Sequence, residues 1–390
     1  MPGDLALHGV AYRAAMSEVG LGTVLREWGR IGCVGFGGPP AHIALLRKLC
    51  VDDHRWLDAR EFEDAIAACN LLPGPASTQL AIFTAWRVRG RAGAVVGGLA
   101  FIVPGLVAIL ALAMLFLEGD PPLWVKAAGA GAGAAVAVVA VQAGVSLVPA
   151  GWRRAPRRSR WLAYLVLGGA AAATVGPWLV LLLITCGVVE TIAQRVPAGR
   201  GPRLGLPLLT STGALGGIAW VALKVGALSY GGGFVIIPLM QADAVDRYHW
   251  MTAAQFLNAV ALGQITPGPV VHTVAAVGYA AAGLGGGLLA ALVAFGPSFV
   301  FILAGAARFD RLRDNRRVRA FLDGAAPAAI GAILGSAVPL ALALTELWQY
   351  AVLAGAAVLL LALRRGPVLT LLTAAGVGVV IVLAGGPLSG

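Results

Sequence analysis

A helix-breaking pair of motifs occurs twice in this chain at a constant separation. Phe36-Gly37-Gly38-Pro39 is followed by Trp56, Phe62 and Leu72-Pro73-Gly74-Pro75; Tyr230-Gly231-Gly232-Gly233 is followed by Trp250, Phe256 and Thr266-Pro267-Gly268-Pro269. Corresponding residues lie 194 positions apart, and Asp52/Asp246, Ala65/Ala259 and Ala67/Ala261 keep the same register. Self-similarity at a long fixed offset marks an internal duplication. Both copies sit in strongly apolar sequence, where Gly and Pro interrupt a helix. In lipid, non-helical backbone survives only where it is buried in protein or lines a water-filled cavity. Matching interruptions in two halves of a chain therefore point to a transporter's binding site.

Composition fixes the setting. The 390 residues are 59% hydrophobic and 12% charged, with a mean hydropathy of +0.84. Segments of the roughly 20 apolar residues needed to cross a bilayer are found at Gly93–Leu117, Leu123–Pro149 and Gly285–Ala307, and at Val318–Leu344, which is interrupted by Asp323 and has Arg319 at its edge. Trp161–Val189 is too long for one span and is divided at Gly176-Pro177; Trp348–Leu363 and Val368–Leu388 repeat that division. The chain reads as an all-α, multi-pass protein of the cytoplasmic membrane. The net charge of +11 comes from arginines in short loops, which is a topology signal and argues against nucleic-acid binding. Cys33, Cys50, Cys69 and Cys186 form neither CxxC pairs nor Cys/His clusters, so they are expected to be packing residues, with no disulfide framework, metal site or cofactor.

The arginines also give the halves opposite orientations. Arg87, Arg89 and Arg91 correspond to uncharged residues at 281–285, and the basic loop Arg153–Arg160 has an uncharged counterpart. The bias then reverses: Glu118 and Asp120 correspond to the loop carrying Arg308, Arg311, Arg313, Arg316, Arg317 and Arg319, while Arg364 and Arg365 correspond to Ala170 and Ala171. Positive loops mark the cytoplasmic side, so alternation between equivalent loops predicts an inverted repeat. The expected domains are 1–203, with a cytoplasmic linker at 195–203, and an inverted 204–390. Each is expected to hold about five transmembrane helices, the number being odd because inversion demands it. Glu61–Val88 is expected to be a re-entrant hairpin of two half-helices, with broken helices meeting at the repeat interface.

A half-helix that starts at Pro-Gly-Pro offers free backbone N–H groups and a partial positive charge, a ready site for an oxyanion. The candidate substrate-binding residues are Gly37, Gly38, Pro39, Asn70, Pro73, Gly74, Pro75, Ser77, Thr78 and Gln79 around the first break, and Gly231, Gly232, Gly233, Gln264, Thr266, Pro267, Gly268, Pro269, His272 and Thr273 around the second. The structural alternative is that Ser, Thr and Gln bond backbone or a neighbouring helix. Lys224 lies in the apolar run Gly213–Ala227, where a cation is costly and marks function by default unless it snorkels to an interface. Arg30 occupies the equivalent place before Phe36. No G-x-x-x-x-G-K-[ST], H-E-x-x-H or G-x-S-x-G occurs, so neither ATP coupling in this chain nor an enzyme is indicated.

On Phe36-Gly37-Gly38-Pro39-Pro40-Ala41-His42-Ile43-Ala44, Arg55-Trp56-Leu57, Leu71–Leu80, Lys224-Val225-Gly226, Tyr230–Gly233 and Thr266–Pro269, the chain resembles the chromate ion transporter family over nearly its whole length. The resemblance implies a long-chain, two-domain exporter of chromate that confers chromate resistance. Proton antiport is the preferred coupling, and efflux driven by potential alone the simpler one. A transporter of sulfate or another oxyanion, and an anion channel, are the alternatives. The expected partners are the chromate anion, with sulfate as its alternative, and the lipid bilayer; a homodimer is a further expectation that the resemblance does not itself carry.

Overall fold

A computed structural model describes residues 19–69, 72, 74–117, 121–174, 179–194, 214–229, 236–305 and 315–388. Among these the structure is all-α, with fourteen α-helices and no strand. The first seven are α1 Leu21–Val34, α2 Pro39–Arg47, α3 Ala59–Cys69, α4 Ala76–Leu117, α5 Leu123–Arg154, α6 Arg158–Thr174 and α7 Leu179–Ala193. The second seven are α8 Ala214–Leu228, α9 Ile236–Gln241, α10 Ala253–Ile265, α11 Thr273–Gly305, α12 Arg316–Leu342, α13 Leu347–Ala357 and α14 Pro367–Leu383. The helices α4, α5, α11 and α12 are long and apolar enough to cross a membrane. Val95, Leu99, Val103 and Val107 of α4 and Leu284, Leu288, Leu292 and Val300 of α11 face outward, the apolar exterior a multi-pass membrane protein needs.

Local backbone repeats in detail. Lys48–Asp53 and Ala242–Arg247 are both π-helical turns. Arg55 and His249, one turn later, both have left-handed backbone, with φ of 51° and 52°. That turn stacks the flanking rings, His54 on Trp56 at 4.3 Å and Tyr248 on Trp250 at 4.6 Å.

The constant offset, however, ends at the Pro-Gly-Pro breaks. α4 is kinked at Arg89–Gly90 and α11 at Ala282–Gly283, so the kink glycines are 193 residues apart rather than 194. The first half enters α4 directly at Ala76, whereas the second winds a 3₁₀ turn, Val270–His272, before α11. A 3₁₀ turn takes about 3.0 residues instead of 3.6, which accommodates the missing residue. Gly90 and Gly283 have φ of 62° and 59°, a left-handed conformation that glycine adopts without a Cβ clash. With the shift, Gln79 corresponds to His272, and Gly105 to Ser298.

The expected half-helices appear as limbs on either side of the first break. α3 has 11 residues, and the second limb runs from Ala76 to the Arg89–Gly90 kink. An Arg87–Glu61 ion pair ties their far ends together. α1 packs on α4, and α8 on α11. The Trp28 indole N–H donates to Ala81 O at 2.8 Å to fix the first of these contacts. α4 and α11 pack on each other with Gly98 against Phe299 and Gly287 against Leu110, so they run antiparallel.

The remaining long helices are held by the opposite series. α5 packs against α13 and α14, and α12 against α6 and α7. Gly131 meets the Ala374 carbonyl, and Gly331 meets that of Leu165, with no room for a Cβ between them. Small residues of this kind let membrane helices approach backbone to backbone. Asp323, the acidic residue of α12, is bridged by Gln194 Nε2 (3.1 Å) to Glu190, which also accepts from Arg160 (2.8 Å) and Tyr164 (3.0 Å). Cys50, Cys69 and Cys186 are buried as expected; Cys33 is exposed instead, because it falls on the outer side of α1, and all four are free thiols. Gly176-Pro177, the 195–203 linker, Glu118 and Asp120, and Arg308, Arg311 and Arg313 lie outside the described residues.

Candidate functional site at the two helix breaks

The backbone at each break is conformationally special. Gly37, Gly38, Gly74 and Gly268 have φ of 95°, 75°, 114° and 92°. Gly38 caps α2, whose first residue is Pro39; the ring fixes φ there and the missing N–H had no helical acceptor to lose. Pro75 ends the first break, and Gln79 N–H returns to its carbonyl at 3.0 Å. The amides of Ala76, Ser77 and Thr78 therefore have no acceptor within their helix. His272 N–H bonds Pro269 O at 2.9 Å in the second half, ahead of α11.

Each break is seated on the other half. The Gly268 N–H donates to Gly35 O at 2.9 Å, and Gly38 lies against Val270. A Cβ on Gly74 would stand 2.7 Å from Gln79 Nε2, 3.1 Å from Gly226 O and 3.3 Å from Ser298 Oγ. Gly105, the counterpart of Ser298, abuts Pro267 O and His272. The first break thus docks at Ser298 of α11, and the second at Gly105 of α4.

Polar side chains collect around this junction. Ser77, Thr78, Gln79, Gln264, Thr266, His272, Thr273, His42, Ser229 and Ser298 are all buried. Thr266 and Thr273 hydroxyls donate to the carbonyls of Leu262 (2.9 Å) and Val270 (2.8 Å), so these two serve their own backbone. Thr78 Oγ1, Ser229 Oγ, Ser298 Oγ and Gln264 Nε2 make no hydrogen bond. The His272 ring lies beside the Ile102 carbonyl and His42, with neither nitrogen in a well-formed hydrogen bond, and its face is met by Phe295 at 5.1 Å. A buried polar group without a partner costs about 1–3 kcal/mol, and a bound group that supplies acceptors would satisfy several at this junction. A tetrahedral oxyanion does so, and the free helix amides suit it. An open crevice lined by Lys126, Gln255, Asn258 and Gln349 is separate; no break residue lines it.

The candidate cations do not join this cluster. Arg30 has a side chain 61% exposed and pairs with Glu27 at 3.3 Å. Lys224 is partly buried, its side chain 11% exposed, and it is not alone. It forms an ion pair with Asp243 and lies over the Trp220 ring at 5.5 Å. Two residues along α8 is about 200° around the helix, so Lys224 faces away from Gly226 and the first break. Asn70, Pro73, Gly231, Gly232 and Gly233 lie outside the described residues.

Sequence reasoning did not select His42, Ser229, Asp243 or Ser298. Repeat matching hides them, because their counterparts are Ile236, Gly35, Leu49 and Gly105. His42 did carry a signal: a histidine inside the Phe36–Ala44 motif, just after Gly37-Gly38-Pro39.

Taken together, an apolar multi-pass exterior, repeated buried helix breaks and unpaired anion-compatible donors define a membrane transporter. The chain belongs to the chromate transporter family, whose model matches residues 22–191 and again 216–379. It is 31% identical over 325 residues to the chromate transport protein of Cupriavidus metallidurans, covering 80% of each chain. It is 30% identical over 336 residues to that of Pseudomonas aeruginosa, covering 80% of this chain and 79% of the relative. A probable chromate transport protein of Synechococcus elongatus is 30% identical over 329 residues, 80% of this chain and 82% of its own. No solved structure matches the chain.

Two outcomes follow from this geometry. Gly74→Ala and Gly268→Ala should each abolish transport while the protein still inserts and reaches normal levels, since a side chain strains the left-handed backbone and enters the junction. Transport at wild-type rate by either variant removes that break from the site. Separately, Lys224→Met should destabilise the protein by about 3–5 kcal/mol, because it leaves the buried Asp243 carboxylate with only the exposed Arg247, 4.0 Å away, and adding Asp243→Leu should recover most of the loss. Thermal unfolding of the purified variants measures this; a double variant no better than the single one would show that the pair is not what holds Lys224.

Proposed function

We propose that this chain exports chromate from the cytoplasm across the cytoplasmic membrane and thereby confers chromate resistance. The observation that carries the proposal is the junction of two seated helix breaks. It is buried, rich in unpaired neutral donors, and belongs to a chromate transporter family member. Backbone amides and hydroxyls recognise tetrahedral oxygens without the strong, slow-releasing grip of a buried cation. An inside-negative potential favours outward movement of a dianion by about 2.3 kcal/mol per charge per 100 mV. Proton antiport adds to that drive, and potential-driven efflux needs no second ion. Sulfate has the same tetrahedral oxygen set and is the substrate to compete.

The two halves are read as inverted repeats of a single transport unit, divided near residue 203. The antiparallel α4–α11 packing and the reciprocal docking of each break on the opposite long helix support this reading, as an in-plane two-fold axis relates equivalent parts in that way.

Everted membrane vesicles should accumulate labelled chromate, with uptake reduced by excess sulfate or molybdate. Imposed pH gradients at clamped potential then separate antiport from unaided efflux. Thr78→Ala and Ser298→Ala each remove a hydrogen bond to an anion, about 1.5–3 kcal/mol, so each should raise the half-saturation concentration about tenfold or more. An unchanged value for both variants sinks this site. For the inversion, Arg91→Cys and Leu284→Cys occupy equivalent positions just beyond the two kinks. An impermeant thiol reagent should label the first from the cytoplasm and the second from outside; labelling of both from one side rules inversion out.

A further inference from the structure

The hydrogen bonds of one buried histidine give the site a proton linkage of definite sign. His42 Nε2 lies 2.9 Å from Gly35 O, and His42 Nδ1 lies 3.2 Å from Ser77 Oγ. Both residues are buried. A carbonyl oxygen only accepts, so Nε2 carries a hydrogen, and Nδ1 of the neutral ring is then an acceptor. The Ser77 hydroxyl must donate to it. Ser77 is the second residue of α4, among the free amides of the first break. In this state the one hydroxyl hydrogen of Ser77 points at the histidine, and only oxygen lone pairs are left for the junction, which repel an anion.

The geometry points to His42 as a proton switch on Ser77, so that oxyanion binding and proton uptake at His42 occur together. A proton arriving from water adds to Nδ1, no other bond is broken, and Nδ1–H now donates to Ser77 Oγ. The Ser77 hydroxyl hydrogen is released to turn toward a bound oxyanion, and the imidazolium opposes the anion's charge. The groups that face His42 agree with a single proton. They are the Gly35 carbonyl from α1, Ser77 and the edge of Phe101 (5.0 Å) from α4, and His272 from the 3₁₀ turn of the other half. Among the described residues no carboxylate or cationic side chain bonds to it. A dianion moving with one proton still carries one net negative charge, so outward transport remains favoured by the membrane potential while the proton travels in the same direction. This linkage takes the place of the antiport considered above: proton and anion bind, and move, together.

This inference rests on the junction being the oxyanion site, and the test separates the two. Chromate binding to the purified full-length protein is measured by titration calorimetry above the pH at which chromate protonates itself, in buffers of differing ionisation heat, which counts protons taken up per anion. The expected result for the wild type is uptake approaching one proton. Affinity should rise by up to about tenfold for each unit that pH falls, because the proton is bound more tightly in the anion-bound state. His42→Gln keeps a donor for Gly35 O but cannot switch, so it should bind more weakly, with near-zero uptake and a flat pH dependence. Ser77→Ala should likewise weaken binding and uncouple it; a merely structural role for either residue would alter affinity without altering the proton count. Wild-type binding without proton uptake, or undiminished uptake by His42→Gln or Ser77→Ala, overturns the switch and leaves the site intact. No binding of chromate by the wild type overturns the site reading, and the switch with it.

Discussion

Every part of this structure answers to one requirement: a backbone amide or carbonyl released from a helix inside apolar surroundings needs another partner. The chain breaks its helices at Gly37–Gly38 and Gly74 and again at Gly268, all with positive φ. It meets the requirement by pressing each break into the opposite half. The Gly268 amide reaches the Gly35 carbonyl across the duplication, and a Cβ at Gly74 would collide with Gln79 Nε2 of its own limb and press on Gly226 O and Ser298 Oγ of the other half. The kinks at Gly90 and Gly283 then redirect the limbs so that the two long helices can run side by side. Packing, interruption and polar enrichment are thus consequences of the same constraint. The polar groups that remain unpaired stand out because so many others have been satisfied.

Much of the architecture was legible because it depends on residues whose effect is local and strong. Gly-Gly-Pro and Pro-Gly-Pro stop helices wherever they occur, and apolar runs of sufficient length become spans. Less legible were features decided by what lies opposite. The sequence shows Lys224 alone in an apolar run; only the fold brings Asp243 to it, from a π-helical turn 19 residues further on. Asp323 looked anomalous for the same reason until Gln194 and Glu190 were brought beside it. Local winding was also hidden. The one-residue change of offset after the second break is absorbed by a 3₁₀ turn, and no propensity in Val270-Val271-His272 announces it.

The duplication itself biased the choice of site residues. Matching positions selected Gly74 with Gly268 and Gln264 with Asn70, but a site between two halves need not use the same side chains in each. His42 faces Ser77 in the first half, where the second has Ile236, and Ser298 stands where the first has Gly105. The symmetric elements are the backbone breaks and their seats. The chemistry laid over them is asymmetric, with the histidine–serine couple on one side and unpaired His272 on the other. That division suits a transporter, in which a common frame must offer two faces of unlike affinity to one substrate.

The exchanged clasp carries a different consequence. α5 is covered by α13 and α14, and α12 by α6 and α7, so the closing walls of each half are lent by its neighbour. Neither half is a self-sufficient fold: synthesised alone, the first would leave the Gly131 face of α5 bare and the second would leave Gly331 of α12 without its seat. On the inverted-repeat reading proposed above, such a half would find closure only in a second chain inserted the opposite way up in the bilayer. The ancestor of a fused protein of this design would then have been a polypeptide that entered the membrane in both orientations, with fusion later fixing the ratio of the two at one to one.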